Sequence, residues 1–202
     1  SDLYSQFDTT SLSNITLFFS ANLKFQYKKI CANIILGFCL KLYSFDKYKN
    51  KKNKSIDQLP IYILGIKEIN EIKYNFNLLE SINFCKNLIS EPANILNPVS
   101  YADKCLSLKK IGLKVKILNL NDLNKIGMHS LLSVSKGSKN EPRVVIFELN
   151  MNKDSQPNIL VGKGVTFDSG GISLKPSSGM EEMITDMSGS AVVVGSMINA
   201  AL

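Results

Sequence analysis

Four residues within a short stretch are the ones best equipped for chemistry: Lys163, Asp168, Lys175 and Asp186. They flank a glycine-rich run, Gly162-Lys163-Gly164-Val165-Thr166-Phe167-Asp168-Ser169-Gly170-Gly171. Paired carboxylates suit hard or borderline divalent cations. A neutral lysine amine can join them when nearby cations depress its pKa. The glycines let backbone approach a ligand without a Cβ in the way. Taken singly, each residue has an ordinary reading: a turn-forming Asp, a solvated Lys, an exposed helix Asp. The combination carries the chemistry. Asp186 adds to it, because it falls between Met183 and Met187. A carboxylate among apolar neighbours needs a partner or a metal, since burying it alone is costly.

A phosphate-binding loop is the competing reading, and its patterns fail. In the Walker arrangement Gly162-Lys163 would be followed by Ser or Thr, but Gly164 follows, and Pro157 holds the place of the first Gly. In the dinucleotide pattern that starts at Gly162 and Gly164, the third Gly falls on Phe167. Two acids also repel phosphate and attract metal.

The elements that must position this cluster can be read outward from it. The β-branched run Ile159 to Gly162 predicts a buried strand that delivers Lys163 to the loop. Ligands in open α/β sheets bind at such carboxyl ends. Ser178 to Glu181 matches a capping box and predicts a helix from Glu181 onward, with Asp186 on its second turn. Met183, Met187, Val194 and Ile198 form its apolar stripe, while Gly189, Ser190, Ala191 and Gly195 keep it narrow.

Further upstream, helical spacing predicts helices over 21–45 and 67–90. Asn97-Pro98 predicts a capped helix start for residues 99–111. A short helix over 120–127 closes on Gly127, and strands are expected at Ile61 to Ile66, Leu113 to Leu118 and Arg143 to Leu149. Alternating strands and helices imply an α/β fold with a mixed, largely parallel sheet flanked by helices. A boundary near residue 75 gives two parts: 1–75, the end of a small α/β domain, and 76–202, the first part of a larger one.

Composition narrows the class. The chain has 202 residues, 45% hydrophobic and 20% charged, which excludes wholesale disorder. No apolar run reaches the roughly 18–20 residues of a membrane-spanning helix, and there is no basic-then-apolar leader. The chain opens on Ser1 and closes on Leu202 inside an apolar helical pattern, which predicts a piece of a longer protein. Its net charge is +7, nearly all from lysine, with Arg143 the only arginine. Much of the excess lies in the run 47–54, which reads as a solvated loop, since nucleic-acid recognition leans on Arg. Cys31, Cys39, Cys85 and Cys105 show no C-x-x-C spacing and read as buried free thiols of a reducing compartment. His129 is the only histidine, so a second-histidine zinc motif is excluded, and it reads as structural.

The segment 159–190 resembles the leucyl aminopeptidase family of two-metal exopeptidases, which also includes the bacterial aminopeptidase A. Its strand-end Lys163, the Phe167-Asp168-Ser169-Gly170-Gly171 run, Lys175 and the later Met183-Ile184-Thr185-Asp186-Met187-Ser188-Gly189 all match the family motif, with Ile184 in place of a basic residue that is not a ligand. Asn87 to Asn94, Gly127 to Ser130 with Ser135 to Glu141, and Tyr43 to Lys49 match more weakly. The resemblance implies that Asp168 bridges two metals, and that Lys163 and Asp186 complete one metal's shell. It implies that Lys175 faces the scissile carbonyl and stabilises the developing oxyanion. It implies two divalent ions (Zn or Mn, with Co and Mg also used in the family), bicarbonate as a base, a peptide substrate with a leucine-like first residue, a homo-hexamer and a cytoplasmic setting.

The family's second acidic motif, Asn-Thr-Asp-Ala-Glu-Gly-Arg, is absent from these residues. It would supply the remaining metal-binding acids and the bicarbonate-holding Arg. The expectation is therefore that the parent protein is an aminopeptidase and that these 202 residues alone are inactive. The alternatives are a nucleic-acid-binding protein on the same fold, which the lysine run supports weakly, and a degenerate remnant, against which the intact Lys163, Asp168, Lys175 and Asp186 stand.

Overall fold

The computed structural model describes residues 14–19, 25–50, 60–65, 70–149 and 156–202. Residues 51–54, half of the lysine run, lie outside them, as does Ile66 at the end of the expected strand. The chain divides into two compact units, residues 1–83 and 84–202.

The first unit holds strand β1 (Ile15–Phe18), helix α1 (Phe25–Leu42), strand β2 (Ile61–Leu64) and most of helix α2 (Asn70–Ser90). β1 and β2 pair in parallel, with Ile15 opposite Ile61 and Phe18 opposite Leu64. A parallel pair needs a long crossover, and α1 lies within it. Both strands alternate between a half-buried and an exposed face, as the two-residue period requires. Cys31, Ala32, Ile35, Cys39 and Leu42 recur at three- and four-residue intervals and are buried, which makes the inner stripe of α1. The amide of Asn75, also buried, donates to the Asn33 side chain at 3.3 Å, so this polar intrusion has a partner.

The second unit continues from the end of α2. Helix α3 (Pro98–Leu106) runs into a 3-10 turn (Ser107–Ile111), then strand β3 (Lys114–Leu118). Helices α4 (Leu120–Lys125) and α5 (His129–Ser135) lead to strand β4 (Val144–Glu148). A second 3-10 turn (Met180–Thr185) precedes helix α6 (Ser188–Ala201). The Asn97 start forms as expected: its side chain accepts from the N–H groups of Val99 and Ser100, and the Ser100 hydroxyl accepts from the Asn97 N–H in return. Leu88, Leu96, Tyr101, Cys105, Leu108, Leu113, Val115, Met187, Ala191, Val194 and Ile198 make one core, so α6 lays one face in it, while Val192 is 57% exposed. Its expected stripe holds, except that Met183 is only half buried.

Three expectations change. The mixed α/β class stands, but the strand pair of this unit, β3 with β4, is antiparallel. Residues 159–162 form no strand, and Ile159, Leu160 and Val161 are exposed, Val161 by 91%. A strand exists through its ladder, and no described strand lies alongside this run, so β-branched residues alone did not make one. The Ser178–Glu181 capping box does not close. Gly179 stands at φ +84° at the head of the 3-10 turn, without a side-chain cap, and the α-helix proper starts at Ser188. The expected short helices and strands at Ile61, Leu113, Leu120 and Arg143 otherwise appear within a few residues. All four cysteines are free, with Cys31, Cys39 and Cys105 buried. Among the described residues no helix is long and apolar enough to cross a membrane.

Candidate metal centre

Residues 157–165 approach the head of α6 without regular secondary structure. There the two backbones cross. The N–H of Ser190 donates to the carbonyl of Lys163 at 2.8 Å. The crossing is too close for side chains. A Cβ on Gly162 would stand 2.5 Å from the Gly189 carbonyl oxygen and 2.6 Å from the Ser190 Cα. A Cβ on Gly189 would stand 3.0 Å from the Lys163 nitrogen. Glycine at both positions lets the helix head carry Lys163 on its backbone. The side chain of Lys163 then reaches Asp186, with Nζ 2.8 Å from Oδ1. Asp186 is placed by the turn just before α6, where its N–H donates to the Met183 carbonyl.

The loop beyond Lys163 folds on itself. Oδ1 of Asp168 accepts from the Gly170 N–H at 2.9 Å, and its Oδ2 lies 3.3 Å from Lys175 Nζ. The N–H of Lys175 donates to the Ser169 carbonyl at 2.9 Å, which closes the loop. Gly170 turns at φ +87°, and a Cβ there would strike the Ser173 carbonyl, so the position requires glycine. The four residues singled out by the sequence are thus drawn into two lysine–aspartate pairs. His129 is exposed at the start of α5.

The two pairs share one field. Asp186, by hydrogen bond and charge, holds the Lys163 ammonium above its ordinary value, with a smaller contribution from Asp168. The Gly170 N–H first, then Lys175 and Lys163, hold the Asp168 carboxyl below its ordinary value. As stabilising salt bridges these pairs are worth little, because Lys163 is 62% exposed and solvent screens such pairs.

Asp186 differs from the other three. Its side chain is only 15% exposed, and its Oδ2 is buried with no hydrogen-bond donor among the described residues. An anionic oxygen left so is costly unless a cation meets it. Among the described residues no three His, Cys, Asp or Glu side chains converge as a full metal cage. The cluster consists of two carboxylates and two ammonium groups, and Lys163 becomes a metal donor only when an ion displaces its proton. That donor set fits part of a divalent-ion site, and the orphan oxygen of Asp186 is where it remains open.

Sequence reasoning missed the crossing that joins the parts. Gly189 and Ser190 read as small residues that slim a helix. Their effect is to bring the Lys163 backbone onto it. Small residues at a helix head facing Gly-x-Gly could have signalled the close approach.

Residues 83–202 match the family model described as the cytosol aminopeptidase family, catalytic domain. The probable cytosol aminopeptidase of Phytoplasma mali (strain AT) is 45% identical over 174 residues, which is 82% of this chain and 35% of that protein. The probable cytosol aminopeptidase of Wolbachia pipientis wMel is 42% identical over the same shares. Among solved structures, the bottromycin maturation enzyme BotP in complex with Mn superposes with a TM-score of 0.74 and 29% identity, over 92% of this chain and 40% of that one. Caenorhabditis elegans leucine aminopeptidase, at 22% identity and a TM-score of 0.75, shares the fold over 96% of this chain and 38% of its own. The fold is that of the aminopeptidases. The chain belongs to the cytosol aminopeptidase family, and it spans about a third of the length of the curated relatives it matches.

Proposed function

We propose that the full-length protein is a metal-dependent aminopeptidase that removes N-terminal residues, leucine-like ones preferred, from peptides. Lys163, Asp168 and Asp186 hold divalent metal, and Lys175 is the catalytic cation. The observation that carries this reading is the orphan Oδ2 of Asp186, buried beside Lys163 at the end of a segment whose family is that of aminopeptidases.

Bound divalent ions supply Lewis acidity and an ionised water at neutral pH. The chain's own residues do the remainder. Asp168, fixed at Oδ1 by the Gly170 N–H, keeps its carboxylate ionised and aimed by the loop. Asp186 offers an oxygen that no donor among the described residues occupies. Lys175 brings a positive charge to the same loop, where it stabilises the oxygen that gains charge when a peptide carbonyl is attacked. The ions are Zn or Mn, with Co and Mg compatible with the same donors, and the Mn of BotP supports this choice. Bicarbonate as base, a homo-hexameric assembly and a cytoplasmic location complete the proposal.

The full-length protein releases leucine from a leucyl amide, and chelation abolishes the release. Asp168→Asn and Asp186→Asn each lower kcat/KM by about a thousandfold or more. Residues 1–202 alone give no metal-dependent release. Hydrolysis that survives chelation, or a metal-dependent rate from residues 1–202 alone, overturns the proposal.

A further inference from the structure

The segment that delivers the metal-centre residues carries apolar side chains into open solvent. Ile159 is 79% exposed, Leu160 55% and Val161 91%, just ahead of Lys163. Beyond Asp168 the pattern repeats: Ile172 is fully exposed, and Leu174, next to Lys175, is largely so. Single exposed apolar residues are ordinary, but contiguous ones mark an interaction surface. The backbone of the first arm is open as well. Among the described residues, 159–163 make one backbone hydrogen bond, in which the Lys163 carbonyl accepts from the Ser190 N–H.

The kind of partner follows from the pattern. Side chains of an extended run alternate between two faces, so Ile159 and Val161 share one and Leu160 takes the other. Both faces are therefore apolar. Such a run suits the interior of a sheet, with neighbouring strands at its edges and covering layers on both sides. A second copy seated by two-fold symmetry presents one patch to one face and leaves the other wet. More of the same polypeptide can supply both strands and layers. The chain spans about a third of the length of the curated relatives it matches, so about two thirds of such a protein is available to do so.

We infer that residues 159–161 and 172–174 are the docking surface for the part of the full-length polypeptide outside residues 1–202, and that its seating there fixes Lys163 and Lys175 for their work. This rests on the reading of Lys163 as a metal ligand and Lys175 as the catalytic cation. The coupling is short and covalent: only Gly162 separates Val161 from Lys163, and Leu174 directly precedes Lys175. The head of α6 already holds the Lys163 carbonyl. Docking holds the residues that lead into it.

The test uses the full-length protein. Hydrogen exchange is first followed without metal over peptides that contain residues 159–163 and 172–175. Docking slows these amides by about a hundredfold or more relative to an unstructured chain. Exchange at the unstructured rate overturns the inference. Protection found only in an oligomer, and lost in the monomer that dilution releases, makes a second copy the occupant and overturns it too. Val161→Lys is then titrated with Mn2+ alone, read as free Mn2+ by electron paramagnetic resonance. A surface position accepts lysine with little effect. At a docked position lysine lowers the population of the closed protein, and apparent Mn2+ affinity falls in proportion, on the order of tenfold or more. Affinity within twofold of the parent overturns the inference. Should Val161→Lys fail to fold, the exchange of the unsubstituted protein decides alone. Because that exchange is read without metal, the two readings fail separately: if Asp186→Asn binds Mn2+ as well as the parent does while the amides are protected, the metal reading fails and the docking surface stands.

Discussion

The heads of α3 and α6 begin two helices of the same core, yet they are closed in opposite ways. α3 is closed by its own residues: Asn97 and Ser100 satisfy each other's backbone N–H groups within one turn. α6 has no side-chain cap at all, and its Ser190 N–H goes to a carbonyl far away in sequence, that of Lys163. A helix that closes itself is finished locally and offers nothing to another segment. A helix end without its own cap keeps donors available, and here one of them seats the residue that reaches Asp186. The second arrangement is weaker as a folding signal and more useful as a scaffold for a site.

The sharpest way to break this contrast is at Gly162. Its Cβ would stand 2.5 Å from a backbone oxygen that has no side-chain freedom to move aside. Gly162→Ala therefore separates the two backbones, and the Ser190 to Lys163 hydrogen bond with them. Overpacking of this kind costs about 1–3 kcal/mol. The expected result in the full-length protein is a lowered urea midpoint together with more than tenfold weaker Mn2+ binding, followed by denaturation and metal titration. A variant with parental Mn2+ affinity would show that the crossing does not place Lys163.

The same contrast explains what could be read from the sequence. Asn97-Pro98 signalled a helix start correctly because cap, donor and acceptor lie within four residues. The Ser178 to Glu181 box carried an equally good local signal and failed, because Gly179 adopts a positive φ and the chain runs on as a 3-10 turn. Ile159 to Gly162 looked like a strand by residue type, but a ladder partner is a non-local fact that residue type cannot supply. Lys163, Asp168, Lys175 and Asp186 were legible because their spacing is a chemical pattern, and the loop draws them into pairs. Ser190 was not, since its role arises only when α6 and the loop come together.

A second test addresses the interface between the two helices. Cys105 on α3 is fully buried in the shared core, and burial pushes its thiol from the ordinary 9.0 up to about 12. The unfolded chain ionises this thiol near 9.0, and the folded chain does so only near 12. The unfolded state therefore binds fewer protons in this window, and stability falls as the pH rises from 9 toward 12. The loss attributable to this thiol grows steadily with pH through that window. Cys105→Ala should flatten that part of the profile in urea denaturation at several pH values, while its lower overall stability reports the cavity. An unchanged slope would mean that Cys105 is not shielded where α3 meets α6.

The gentlest test removes the self-sufficient cap. Asn97→Ala takes away the acceptor for the Val99 and Ser100 N–H groups, and loss of such a cap costs about 1 kcal/mol. Pro98 still presets the first turn, so α3 keeps its place and only its end frays. Because nothing from the metal centre hangs on this cap, the urea midpoint should drop while Mn2+ affinity of the full-length protein stays within twofold. The opposite pattern, with binding weakened more than stability, would mean that disorder at the head of α3 travels through the shared core to α6. The local and the long-range closures would then be one mechanical unit, and the distinction between a finished helix end and one left open for a site would be lost.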